Sequence, residues 1–176
     1  MSHLSKVLLL LGVVALAACQ NPDRLGSGAG SAANGAGGGT GGIQTAALGD
    51  PSDPSSPAHF NERIGDRVFF TTDQSTLSQE ARETLTRQAR WLNDNPDFGV
   101  VIEGHADERG TREYNVALGA RRANAVQEFL NERGISRQRM RTVSFGKERP
   151  VEACPEQRCW DLNRRAVTVI STGLTS

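Results

Sequence analysis

From Gln20 to Pro57 the chain is dominated by Gly, Ala and Ser, with Gly37-Gly38-Gly39 in the middle and Pro51, Pro54 and Pro57 closing it. Such a stretch carries too little apolar surface to offset the entropy of ordering it, so it is expected to be disordered. Any core must come from the residues that follow. As a Gly-rich coil the stretch averages about 35 Å end to end, and it reaches at most about 130 Å extended. It reads as a tether, residues 19–57, in front of one folded head, residues 58–176. One modest domain with appendages is what 176 residues allow.

The segment before the tether has a different composition. Lys6 precedes Val7–Ala18, twelve residues that are apolar apart from Gly12. A bilayer span needs about 20 such residues, whereas a signal-peptide core needs about 7–15. Residues 1–18 are therefore expected to be a signal peptide. Leu16-Ala17-Ala18-Cys19 resembles the lipobox of bacterial lipoprotein precursors. That resemblance implies cleavage before Cys19 and a thioether-linked, N-acylated lipid on it. Gln20 in place of Asp implies, by the same resemblance, sorting to the outer membrane. One acyl chain anchors only marginally, and three would hold firmly.

In the head, apolar periodicity alternates between strand and helix. Val68-Phe69-Phe70 is a short buried strand. Ser78 is a good N-cap, with Glu80 and Glu83 in the first turn. Ala81, Leu85, Ala89 and Leu92 then recur at helical spacing up to Asn95-Pro96. Val100-Val101-Ile102 is a second strand, Tyr114–Arg133 a long helix stopped by Gly134, Met140–Phe145 a third strand and Ala166–Ile170 a fourth. The order β-α-β-α-β-β predicts an α/β sandwich: a mixed sheet with helices packed on one face.

Charge narrows the function. Lys+Arg number 20 and Asp+Glu 20, so the basic excess of a phosphate-backbone binder is missing and nucleic acid is not an expected partner. Cys154 and Cys159 lie in Cys-Pro-Glu-Gln-Arg-Cys. With only three His in the chain, a metal set is not expected, whereas an exported protein tends to pair two nearby cysteines as a local disulfide. So short a loop stiffens a segment rather than holding the fold. No phosphate-binding glycine motif or Gly-x-Ser-x-Gly elbow occurs, and no cofactor is implied.

Two features break local rules. Arg122 falls within the apolar stripe of the long helix marked by Leu118, Ala125 and Phe129, where a guanidinium must find an anion or carbonyl partners. The other is Glu103-Gly104-His105-Ala106-Asp107-Glu108-Arg109-Gly110, leaving the carboxyl end of the second strand, where α/β sheets tend to bind ligands. Asp107 beside Arg122 suits a zwitterion: the carboxylate takes an ammonium and the guanidinium clamps a carboxylate. His105, with no nearby nucleophile, reads as structural. Trp91 and Trp160 read as packing residues, and Asn163-Arg164-Arg165 as a charged start to the last strand or a contact.

The segment EGHADERGTREYNVALGARRANAV, Glu103–Val126, resembles the peptidoglycan-associated lipoproteins and the wider family of C-terminal domains of outer-membrane protein A type. Ser144-Phe145-Gly146-Lys147 and Asn163-Arg164-Arg165-Ala166-Val167 carry the same likeness. It implies a non-enzymatic domain that binds the diaminopimelate of the peptidoglycan stem peptide. Asp107 and Arg122 would grip its amine and carboxylate, with Phe70, Asp73 and Leu118 around them. It also implies partnership with the periplasmic propeller protein of the Tol system and a part in envelope constriction at division. One departure is Thr71, where the family has Asp after the strand's aromatic. A sister lipoprotein serving a secretion or motor complex is the alternative, separated by whether the head captures the Tol propeller. A glycan hydrolase using Glu103 and Asp107 is a more distant one. Asp107→Ala and Arg122→Ala are each expected to leave one charge of the zwitterion unpaired, weakening binding severely, and to leave the fold largely intact.

Overall fold

The computed structural model describes residues 47–172. The chain divides into two units, Met1–Gly38 and Gly39–Ser176, and the described residues belong to the second. The apolar leader, Cys19 and the tether as far as residue 46 lie outside the described residues.

A one-turn helix α1 (Pro57–His59) runs into a π-helical turn (Phe60–Gly65) and then β1 (Arg67–Phe69), α2 (Gln79–Asp94), β2 (Gly99–His105) and α3 (Arg112–Glu132). A 3-10 turn (Arg137–Arg139), β3 (Met140–Gly146), α4 (Gln157–Asn163) and β4 (Arg165–Ser171) complete the chain. The sheet order is β1-β4-β2-β3. β2 and β3 are parallel, joined through α3, while β4 runs antiparallel between β1 and β2.

The expected mixed sheet is present. One face, carrying Val68, Val100, Ile102, Ala166 and Ile170, packs on α2 (Leu85, Leu92) and α3 (Val126, Leu130) in a single core. The other face carries Phe69, Glu103, His105 and Arg165, the alternate residues of the same strands.

Local signals account for the helix ends. The Ser78 hydroxyl accepts from the Ala81 N–H, and the Thr111 hydroxyl accepts from the Tyr114 N–H. α3 therefore begins at Arg112, two residues before the apolar pattern does. It ends at Glu132, and Gly134 just beyond, with a φ of +94° that favours glycine, turns the chain away. α4 was not legible in the sequence: it has seven residues, buries only Cys159 and Asn163, and has no side-chain N-cap.

One backbone contact sets the site. A Cβ on Gly104 would lie 1.9 Å from the Gly119 carbonyl oxygen. Only glycine there lets β2 and α3 touch main chain to main chain. That contact brings the carboxyl end of β2 close to the turn of α3 bearing Arg122.

The last part of the expected tether is folded. Ala58 N–H donates to the Leu48 carbonyl, and the Ser56 hydroxyl donates to that of Asp50. Trp91 Nε1–H donates to the Pro54 carbonyl at 2.7 Å. Composition missed this because the partner is remote in sequence: a buried indole N–H needs an acceptor, and three prolines lower the entropy lost in supplying one.

Candidate functional site

The carboxyl end of β2, the start of β4 and the loop after β1 meet at one end of the sheet, beside the first turns of α3. A cleft of about 330 Å³ opens there, lined by Asp73, Asp107, Arg109, Tyr114, Leu118 and Arg122, with Arg164 at its wall. Two carboxylates thus face three guanidinium groups.

Arg122 is completely buried. Its Nε donates to the Gln74 carbonyl (2.8 Å), and its two Nη atoms donate to the carbonyls of His105 (2.7 Å) and Thr71 (3.1 Å). The guanidinium therefore ties the β1–α2 loop to the end of β2. Carbonyl partners, rather than a salt bridge, are what its place in the apolar stripe required. Burial, with Arg164 nearby, pushes its pKa down to about 10. Three of its five N–H donors are used in these bonds.

This geometry argues against the expectation that Arg122→Ala leaves the fold largely intact. Removing the side chain strips three loop carbonyls of a shared donor, and a buried acceptor without one is costly. It also shows how Thr71 serves: its carbonyl, not its side chain, meets Arg122.

Asp107 is nearly saturated. Its Oδ1 accepts from the backbone N–H and Nε of Arg109, both at 3.2 Å. Its Oδ2 accepts from Arg109 Nη2 at 2.7 Å and Arg164 Nη1 at 3.0 Å. Burial opposes its charge, but the hydrogen bonds from Arg109 and Arg164 prevail and hold the carboxyl below its usual range. Arg164 also donates to the Phe70 carbonyl and to Asp161.

Asp73 sits at φ +60°, a conformation uncommon outside glycine, and accepts from the Tyr114 hydroxyl. Leu118 supplies an apolar wall. Phe70 is instead a core residue, its ring 5.1 Å from the Arg122 guanidinium, and does not line the cleft.

The Asn-Arg-Arg motif divides into three tasks. Asn163 caps the loop before α4 through Val151 and Glu152, Arg164 enters the site, and Arg165 lies on the open face of the sheet. Arg109, Tyr114 and Asn115 were missed as site residues. Their signal was the spacing after Asp107 onto the first turn of α3. Cys154 and Cys159 are bonded, with Cα atoms 5.8 Å apart, and α4 places Trp160 under Arg109.

A larger, mostly apolar groove of about 980 Å³ runs between β1, the start of α2 and α4. It shares Arg164 and Thr72 with the cleft, and its other charged lining residues are Arg67, Glu80 and Asp161, whereas the smaller cavity gathers Asp73, Asp107, Arg109 and Arg122 around Arg164. Glu103, on the open sheet face 3.6 Å from His105 Nε2, and Asp107, in the cleft, do not flank one cavity as hydrolytic carboxylates must. Among the described residues no cluster of His, Cys, Asp and Glu could hold a metal ion.

Comparison with known proteins identifies the family. The OmpA family profile matches residues 69–159. The peptidoglycan-associated lipoprotein of Mesorhizobium japonicum is 55% identical over 118 residues, 67% of this chain and 70% of that one. That of Agrobacterium fabrum is 44% identical over 164 residues, 93% of this chain and 86% of its own. The crystal structure of the peptidoglycan-associated lipoprotein from Burkholderia pseudomallei matches with a TM-score of 0.61 at 37% identity, over 69% of this chain and all of that one. The chain belongs to the OmpA family and, within it, to the peptidoglycan-associated lipoproteins.

Proposed function

We propose that this protein holds peptidoglycan without covalent bonds and without turning it over. Asp107 takes the free ammonium, and Arg122 the carboxylate, of diaminopimelate in uncrosslinked stem peptides. The observation that carries the reading is the cleft itself, where a carboxylate and a buried guanidinium meet beside Leu118. A zwitterion satisfies both charges at once, and each fork-shaped contact adds geometric selectivity.

The rest of the reading follows from the family. Lipid on Cys19 anchors the protein to the periplasmic face of the outer membrane, and residues 19 to about 47 span the gap to the wall. Weak clamps repeated over many copies hold the envelope by avidity while each stays reversible. The periplasmic propeller protein of the Tol system is the proposed partner, and through it the protein supports envelope integrity and constriction during division.

The test is co-sedimentation of the detergent-solubilised full chain with diaminopimelate-type sacculi, wild type beside Asp107→Asn. Asn keeps the shape and removes the charge, so the folded variant is expected to bind at least tenfold more weakly, because the ligand ammonium loses its counter-charge. Equal sedimentation of the two would remove Asp107 from the reading. Absence of wild-type binding would make the head's target a protein.

A further inference from the structure

The two groups assigned to the ligand are both covered in this structure. Arg122 has no exposed surface, and Asp107 is 7% exposed with all its outward positions taken. The cation that faces Asp107 from the solvent side is Arg109, whose side chain is 41% exposed against 4% for Arg164. Arg109 reaches Asp107 with two side-chain N–H groups, at 3.2 and 2.7 Å, in the fork geometry that an incoming ammonium would have to displace.

The surroundings of Arg109 separate a fixed main chain from a loosely held side chain. Its backbone N–H donates to Asp107 Oδ1, and its carbonyl accepts from Asn115 Nδ2 at 2.8 Å. Beyond Asp107, the guanidinium's contacts among the described residues are a long one to the Thr72 hydroxyl (3.4 Å) and the face of Trp160, 4.3 Å below, with the Asp161 and Glu108 carboxylates near enough to favour its charge. Trp160 is itself steadied by Nε1–H donation to Glu108 Oε1 at 3.0 Å. Rotation of the Arg109 side chain can therefore vacate Asp107 without moving the loop.

Charge balance favours such an exchange. With Arg109 seated, the cleft holds three guanidinium groups against Asp73 and Asp107. A zwitterion entering beside a seated Arg109 would bring an ammonium to a carboxylate whose lone pairs are already used. When Arg109 leaves as the ammonium arrives, Asp107 keeps two cationic partners throughout, and the buried carboxylate is never left with Arg164 alone.

We propose that Arg109 is a resident counter-cation that occupies the ammonium seat on Asp107 when no ligand is bound, so that its displacement sets the affinity and the selectivity of the cleft for amine-bearing ligands. This rests on the reading of Asp107 as the ammonium site. A ligand without the amine gains nothing from displacing Arg109 and meets a closed site. Trp160 then acts as a positioning residue, holding the guanidinium over the seat.

The experiment is calorimetric titration of the detergent-solubilised full chain with the tripeptide L-Ala–D-isoglutamyl–meso-diaminopimelate and with the same peptide acetylated on its terminal amine. Arg109→Ala, checked as folded by circular dichroism, is expected to bind the free-amine peptide about tenfold more tightly, the scale of one exposed ion pair plus one cation–π contact. Arg109→Lys restores a cation and is expected to fall between Arg109→Ala and wild type. Trp160→Ala is expected to give a smaller gain in the same direction. The acetylated peptide is expected to show none of these gains. Unchanged or weaker binding of the free-amine peptide by folded Arg109→Ala, or an equal gain with the acetylated one, overturns the proposal while leaving wild-type binding and the Asp107 reading in place. If Asp107→Asn binds the free-amine peptide as wild type does, the ammonium seat itself is lost and the proposal falls with it.

Discussion

The two ends of the sheet solve the problem of burial differently. At the end where the chain enters, the rings of Phe60, Trp91 and Phe98 pack with centroids 4.9 and 5.5 Å apart, and the polar groups there, the Trp91 indole N–H, the Ser56 hydroxyl and the Arg139 guanidinium, donate to main-chain carbonyls. At the cleft end, Arg122, Arg164 and Asp107 are buried, and each is held by several hydrogen bonds. The aromatic end contributes stability through apolar area. The cleft end costs desolvation and offsets it only while every partner is present. The first region is built to stay closed. The second gathers buried charges whose partners a ligand of matching charge would have to replace.

Breaking the aromatic end is expected to have the largest effect on stability. Trp91→Ala removes the ring between Phe60 and Phe98 and the anchor for Pro54, and is expected to cost about 4 kcal/mol in urea unfolding. Limited proteolysis should then cut between residues 48 and 57, which lose their partner. A stability loss under about 1 kcal/mol would show that the entering segment is dispensable for the fold.

Arg122→Ala comes next. Loss of the donor shared by Gln74, His105 and Thr71 is expected to cost about 3 kcal/mol, together with all binding to sacculi. Arg122→Lys, which can serve at most one or two of those carbonyls, should recover part of the stability and little of the binding. Full stability with lost binding would mean that the carbonyl cage holds the loop without its guanidinium.

The smallest effect concerns His105, which joins the cleft loop to the open face of the sheet. Its ring is buried, and neither nitrogen has a hydrogen-bond partner. Burial lowers its pKa, although Glu103 pulls the other way. A depressed folded pKa means that the unfolded chain takes up the proton first. The His105 contribution is therefore complete above the ordinary value of 6.5 and is lost as pH falls below it, towards the lower folded value. The melting temperature is expected to fall by a few degrees between pH 7 and pH 5, and His105→Phe should flatten that slope. An unchanged slope would assign the pH dependence to other groups.

Much of the architecture was written in short-range patterns. The stripe from Ala81 to Leu92, the Ser78 cap, the Gly134 stop and the β-branched run of β4 each follow from local periodicity and local hydrogen bonding, and each stands where the pattern puts it. Arg122 could be singled out for the same reason, since a guanidinium in an apolar stripe contradicts its surroundings. Its partners could not be named, because Thr71, Gln74 and His105 lie 51, 48 and 17 residues away in the chain. Arg109 was not singled out in the sequence, and Arg164 read equally as a charged start to the last strand or as a contact, until β4 was seen to lie antiparallel between β1 and β2.

The residue sequence by itself thus determined the number and kind of the main elements, the single core and the site-bearing loop after β2, because these depend on periodicities of two to four residues and on caps a turn away. Tertiary structure alone decided which arginine is scaffold and which faces solvent, that Asp107 carries two guanidinium partners, and that residues 48–57 belong to the head. The physical reason is the same in each case. A buried charge or an indole N–H specifies only that a partner must exist, and the chain's path through space decides which residue supplies it.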